Sequence, residues 1–189
     1  ITLPHPRMTE RRFVLEPLHE IAPELVLAKG GPTVSELLKN LSALRIRPVG
    51  NSPEECEEAA TALNRLMPSL TEDYTALKAA DVARMLSTGL TRIYLGRDES
   101  GKVQAGATLV LCCSPTGCKA WIEDVAVMPD CRRRGYGRAI IRFLIAESQR
   151  LGAKSLNLTS QPKREAANAL YRSEGFVLRE TNVYRWQEK

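Results

Sequence analysis

Apolar positions along the chain switch between a period of two and a period of three to four, and the switches outline its elements. Leu44 to Val49 alternates as a short strand. Ser52-Pro53-Glu54-Glu55 then supplies an N-cap serine, a proline at the first helical position and a glutamate at the third. Ala59, Leu63, Leu66 and Met67 line one face of the helix that follows. Thr71 is expected to open a further helix that Gly89 ends. Arg92 to Arg97 and Lys102 to Cys113 read as strands joined by a turn at Asp98 to Gly101. Ser114-Pro115-Thr116-Gly117 turns the chain again, and Lys119 to Val127 is the next strand. Gly137 to Leu151 is a long helix ended by Gly152, Leu156 to Thr159 a strand, and Pro162 to Gly175 another helix. Phe176 to Leu178 and Asn182 to Trp186 read as two closing strands. Helices and strands interleave over 45–189, so the expected class is α/β, an α+β mixed sheet.

Residues 1–44 have a different texture. Arg12 to Leu18 reads as one strand around Phe13, Val14 and Leu15. Gly30-Gly31-Pro32 is a turn, and Thr33-Val34-Ser35-Glu36 is a capping box ahead of Leu37, Leu38, Leu41 and Leu44 at helical spacing. Two domains are expected, 1–44 and 45–189. The first residue is Ile1 and not Met, as in a piece of a longer chain.

Composition narrows the picture. Of 189 residues, 43% are apolar and 26% charged, a globular balance. Lys plus Arg is 27 against 22 Asp plus Glu, a net charge of +5 that favours an anionic ligand but is far from a nucleic-acid-binding tail. The apolar stretch 107–113, with Thr108 its one polar residue, is much shorter than the roughly 20 residues a bilayer demands, so no membrane partner is expected. Five cysteines, an odd number, argue against a secreted disulfide framework and for a reducing, cytoplasmic setting. Cys113 and Cys118 flank a hairpin turn and are read as small thiols buried at strand edges. The only histidines, His5 and His19, lie far from them, so no metal site is expected.

The chemically informative stretch runs Val125-Ala126-Val127-Met128-Pro129-Asp130-Cys131-Arg132-Arg133-Arg134-Gly135-Tyr136-Gly137-Arg138. A buried strand leads into a loop with two glycines, and the loop into a helix. Glycines let a backbone come close to a ligand, and the first helical turn offers unpaired N–H groups and a positive dipole end. Arg132, Arg133, Arg134 and Arg138 add formal charge. This is what a pyrophosphate needs. The P-loop pattern is absent. The dinucleotide fingerprint fails as well, because Ile140 stands where its third small residue belongs.

The stretch resembles the acetyl-CoA motif of the GNAT N-acetyltransferase superfamily at Arg132-x-x-Gly135-x-Gly137, preceded by Ile122-Glu123-Asp124-Val125-Ala126-Val127. Arg164 to Phe176, a helix carrying Tyr171 and ending in Gly175-Phe176, resembles the family's second signature. The resemblance implies a GNAT fold over 45–189 and acetyl transfer from acetyl-CoA to an amine by direct attack in a ternary complex. It implies Tyr171 as the proton donor to the leaving sulfur and the Val125 N–H as the donor to the thioester carbonyl. Val125 and Val127 would hold the pantetheine arm. Ala126, Tyr136 and Asn168 complete the expected coenzyme-binding set. The base is Glu123 or Asp124. On a regular strand only one of them faces the cleft, and Glu123 shares parity with Val125, although a bulge would change that. The acceptor, a small amine or a protein N-terminus, would meet residues 68–90. The oligomeric state stays open, a dimer included.

Leu3-Pro4-His5-Pro6-Arg7 through Arg11, Phe13-Val14-Leu15 and Pro17-Leu18 to Leu25 is similar to the C-terminal end of the folate-pathway hydroxymethyl-dihydropterin pyrophosphokinase. That resemblance implies phosphate contacts for His5 and Arg11, and the trailing end of a kinase–acetyltransferase fusion. An unpaired kinase strand at Phe13 to Leu15 would be dispensable, and a chain starting near Ser42 would keep its coenzyme affinity.

Overall fold

The computed structural model describes residues 8–10, 12–40, 44–71 and 73–186. They form two compact units, Ile1–Thr159 and Ser160–Lys189. His5, Arg11 and Ser42 lie outside the described residues.

The first unit is built on a five-stranded mixed sheet in the order β1-β2-β3-β4-β5. β1 (Arg45–Pro48), β2 (Thr91–Arg97), β3 (Val103–Ser114) and β4 (Gly117–Val127) pair antiparallel in sequence, and β5 (Leu156–Leu158) joins β4 in parallel. Helices cover both faces, as the interleaved pattern requires. On one face α3 (Pro53–Leu66) and α4 (Ala79–Leu86) bury Ala59, Leu63, Leu66, Val82 and Leu86 with Ile93, Leu95 and Ala126 of the sheet. On the other lies α5 (Tyr136–Arg150), with Ile140, Ile141 and Leu144 wholly buried. Each such side chain contributes about 1.5–3 kcal/mol. Tyr94 of β2 meets α5 by an edge-on contact with Phe143, ring centroids 5.2 Å apart, and its hydroxyl donates to Glu147 Oε1 at 2.8 Å. Arg150 grips both oxygens of that carboxylate at 2.7 Å. These contacts fix α5, and with it the loop that precedes it.

Helix starts agree with their sequence signals. Ser52 Oγ accepts from Glu55 N at 3.2 Å. The capping box of α2 (Val34–Asn40) closes both ways, Thr33 N to Glu36 Oε2 at 2.9 Å and Glu36 N to Thr33 Oγ1 at 3.2 Å.

Four expectations are corrected. Arg12–Ile21 is a helix, α1, and not a strand. Three consecutive apolar residues, Phe13 to Leu15, satisfy either period, and the helix accommodates Pro17 within it. Leu15 is wholly buried, so the segment is no stray edge strand. The helix expected from Thr71 begins only at Ala79, because Asn64 holds the intervening backbone in an irregular path: its Oδ1 accepts from Leu77 N at 2.8 Å and its Nδ2 donates to Leu77 O at 3.0 Å. Residues 176–178 and 182–186 form no strands, and Val177, Leu178, Val183, Tyr184 and Trp186 are exposed. Alternation marks a segment able to pair but does not supply the partner. Finally, Cys113 and Cys118 are a disulfide and not buried thiols; they stand directly opposite across the β3–β4 hairpin with Cα atoms 4.0 Å apart. Cys112 is exposed, whereas Cys56 and Cys131 are buried thiols.

Candidate active site

The site grows from β4. β5 pairs with β4 only through Ala120, Trp121 and Ile122. Among the described residues no strand continues that pairing past Ile122, so the outer edge of β4 over 123–127 has no strand partner. Such an edge can hold an extended ligand by strand-like hydrogen bonds.

A bulge shapes the same stretch. Thr108 faces Glu123 and Gly106 faces Ala126, leaving Ala107 alone opposite Asp124 and Val125. Asp124 takes φ 52°, the left-handed region that Asp and Asn tolerate better than other residues with a β-carbon. Parity therefore changes. Thr108 also pairs with Ile93 and Gly106 with Leu95, so Glu123 and Ala126 share the α3 face although they are three residues apart. The parity expected between Glu123 and Val125 belonged to a regular strand. Both Glu123 and Asp124 are exposed. Partial desolvation and the neighbouring Asp124 charge push the Glu123 carboxyl above its usual range.

A residue that sequence reasoning missed stands nearby. Tyr74 donates its hydroxyl to Asn64 Oδ1 at 2.6 Å. Burial, and then the charge of Asp124, raise its phenol pKa, against a lowering from the Leu77 backbone. The available signal was a polar Asn64 beside the apolar face of α3. The sequence marks 68–90 only as a whole, as the stretch an acceptor would meet, and does not distinguish Tyr74 within it.

From β4 the chain turns through Pro129–Cys131, where Cys131 is buried and its N–H donates to Met128 O at 2.9 Å. Arg133 has φ 65° and Gly135 φ 83°, two left-handed residues with one between them. Alternation of this kind makes successive N–H groups converge into an anion-binding concavity. The first helical bond of α5 closes at Ala139 N to Gly135 O, 2.9 Å. The amides of Tyr136, Gly137 and Arg138 precede it and form the orphan first turn. Arg132, Arg133 and Arg134 are exposed around the loop, and Arg138 is part-buried. Backbone donors, helix dipole and guanidinium charge thus coincide over 132–138.

The second unit carries Tyr171 and Asn168 on α6 (Glu165–Ser173). The helix ends in a Schellman motif: Phe176 N donates to Tyr171 O at 3.0 Å and Gly175 N to Arg172 O at 3.1 Å, with Gly175 at φ 90°. The side chains that this motif brings together are those of Tyr171 and Phe176, edge to face with centroids 6.0 Å apart. The Tyr-x-x-x-Gly-Phe spacing is therefore a helix stop that locks the tyrosine ring. Burial pushes the Tyr171 phenol up, against a smaller lowering by Arg164. Asn168 Nδ2 donates to Gln161 O at 2.9 Å and Arg164 O at 3.1 Å, tying the preceding loop to the helix.

The family model of the acetyltransferase (GNAT) family matches residues 61–176, more than half of the chain and both stretches just described. The chain belongs to the GNAT acetyltransferase family. Within the family, a ribosomal protein bS18-alanine N-acetyltransferase of Escherichia coli (strain K12) is 41% identical over 58 residues, 31% of this chain and 39% of that one. A structure described as an acetyltransferase of Agrobacterium tumefaciens str. C58 superposes with a TM-score of 0.66 at 27% identity, covering 76% of this GNAT chain and 100% of that chain. A different relative, the 2-amino-4-hydroxy-6-hydroxymethyldihydropteridine pyrophosphokinase of Synechocystis sp., is 43% identical over 49 residues, 26% of this chain and 25% of that protein. The GNAT chain thus spans well under half the length of either of these sequence relatives. Among the described residues no three His, Cys, Asp or Glu side chains cluster as metal ligands, and no helix is long and apolar enough to cross a membrane.

Proposed function

We propose that this GNAT protein is an N-acetyltransferase that moves the acetyl group of acetyl-CoA to an amine. The observation that carries the reading is the open β4 edge running directly into the left-handed, arginine-rich turn ahead of α5. The edge at Val125 to Val127 suits a pantetheine arm, and the amides of 134–138 suit a pyrophosphate. In the reaction the amine nitrogen attacks the thioester carbonyl, forming the C–N bond as the C=O π bond opens to a tetrahedral oxyanion; the oxyanion collapses with cleavage of the C–S bond, one proton passing from the amine to a base and another to the leaving thiolate. The Val125 N–H stabilises the oxyanion. Glu123, with its raised carboxyl pKa and Asp124 beside it, takes the amine proton directly or through water. Tyr171, held by the Schellman stop, is the proton donor to the sulfur, a role its match to the family signature supports.

The acceptor class that the E. coli relative suggests is a protein N-terminus, with small amines as the competing class. A screen of N-terminal peptides and small amines, reading coenzyme A thiol release, tests this. Release with an amine and none without it is the expected result. Acetyl-CoA binding with no release for any amine would make the protein a non-catalytic acyl-CoA binder. The short pyrophosphokinase match favours a second reading for residues 1–44 alone: a remnant of the C-terminal end of such a kinase, joined to an acetyltransferase over 45–189.

A further inference from the structure

We propose that Glu16, on α1, tunes acyl-CoA affinity by competing with phosphate for Arg138; the inference rests on the acyl-CoA reading of the loop at 132–138. Glu16 Oε2 lies 3.6 Å from Arg138 Nη1, and Glu16 Oε1 lies 3.7 Å from Arg142 Nη1. One carboxylate therefore spans two guanidinium groups, one oxygen to each. Arg138 is the third residue of α5 and Arg142 stands one turn later on the same face. Two like charges at that spacing repel, and the helix N-terminus adds positive potential. A carboxylate between them relieves both.

The carboxylate is delivered by a built arm. Leu15, its neighbour, is wholly buried, as is Val34 at the start of α2. Between the two helices Val34 N donates to Leu25 O at 2.8 Å and Ser35 N to Pro23 O at 2.9 Å. Glu16 keeps only 23% side-chain exposure and Arg138 25%, so the pairing is less screened than one between fully exposed groups. A phosphate arriving at the first turn of α5 meets an Arg138 already engaged by an internal anion. The segment with the kinase resemblance thus reaches the anion cradle of the acetyltransferase. On this proposal, deleting residues 1–41 changes coenzyme affinity, against the expectation that the segment is dispensable.

Calorimetry of the full chain with coenzyme A tests the proposal. In about 50 mM salt, Glu16→Gln should bind about two- to fivefold more tightly than wild type, the size of removing one charge some 10 Å from a diphosphate. The gain should shrink in about 0.5 M salt, where the Debye length falls to a few ångströms. Glu16→Asp, which keeps the charge, should stay nearer wild type. On an Arg138→Gln background the gain from Glu16→Gln should be smaller, since only the direct repulsion of the phosphates remains to be relieved. Unchanged or weaker binding by Glu16→Gln, or a gain indifferent to salt, would overturn the competition while leaving the acyl-CoA site intact. A wild-type chain that binds no coenzyme A would overturn the site reading and this inference together.

Discussion

Gly135 offers the sharpest test of the anion cradle, because its backbone and its ligand make separable demands. It sits at φ 83°, ψ −1°, the residue before α5. An L side chain in this region costs about 1–2 kcal/mol. Gly135→Ala should lose about that much stability in urea unfolding, unless the turn relaxes and swings the first amides of α5 away from their common focus. Asn and Asp both tolerate left-handed backbone and have nearly the same shape. Comparing Gly135→Asn with Gly135→Asp therefore isolates charge. Two phosphate charges about 4 Å from a new carboxylate cost about 2 kcal/mol even at the dielectric of water. Gly135→Asp should thus bind acetyl-CoA about 30-fold more weakly than Gly135→Asn, and high salt should narrow the difference. Isothermal titration of both variants at two salt concentrations makes the measurement. Equal affinities for the two would refute the assignment of the loop as a phosphate site.

Removing only the hydroxyl in Tyr171→Phe should lower kcat by about 10²-fold or more while acetyl-CoA affinity holds, the scale of a lost general acid; the edge contact with Phe176 should keep the fold. Glu123 has a raised folded-state pKa, so it stabilises the fold when protonated, and that contribution is lost as pH rises through the folded pKa. Glu123→Gln should accordingly be more stable than wild type at pH 7 and lose that advantage near pH 4, while the rising acidic limb of the wild-type kcat/KM profile disappears. Tyr94→Phe leaves the Arg150 grip on Glu147 but deletes one part-buried hydrogen bond to a carboxylate, for about 1.5–3 kcal/mol in chemical denaturation. Thiol titration of the unfolded, unreduced chain should count three groups, Cys56, Cys112 and Cys131, and five only after reduction.

Local signals carried far in this chain. The capped starts at Ser52 and Thr33, the strands β2 to β4 and the long helix after Gly135 are each written in a few consecutive residues, whose hydrogen bonds close within one turn or one ladder. The glycine-arginine loop was legible for the same reason: the role proposed for it rests on backbone geometry that Gly135 permits and on charges that stand beside it. The helix end at Gly175 is equally local, a glycine at the close of a helical pattern, whereas the role expected of Tyr171 came from the resemblance to the family signature.

What tertiary structure decided were matters of register and of partners. The bulge opposite Ala107 moves Glu123 onto the face of Ala126, and no pattern in β4 announces it, because one strand gains its extra residue only against the count of another. Phe13-Val14-Leu15 has the composition of a strand, yet the chain places Leu15 in a helix whose next residue reaches two arginines more than a hundred positions away. Asn64 reaches Tyr74 and Leu77 across much shorter gaps, 10 and 13 residues. Periodicity reports which side of an element is apolar. It carries no information on which distant side chain will answer a given charge, since that choice is made by the packing of the whole sheet and its helices.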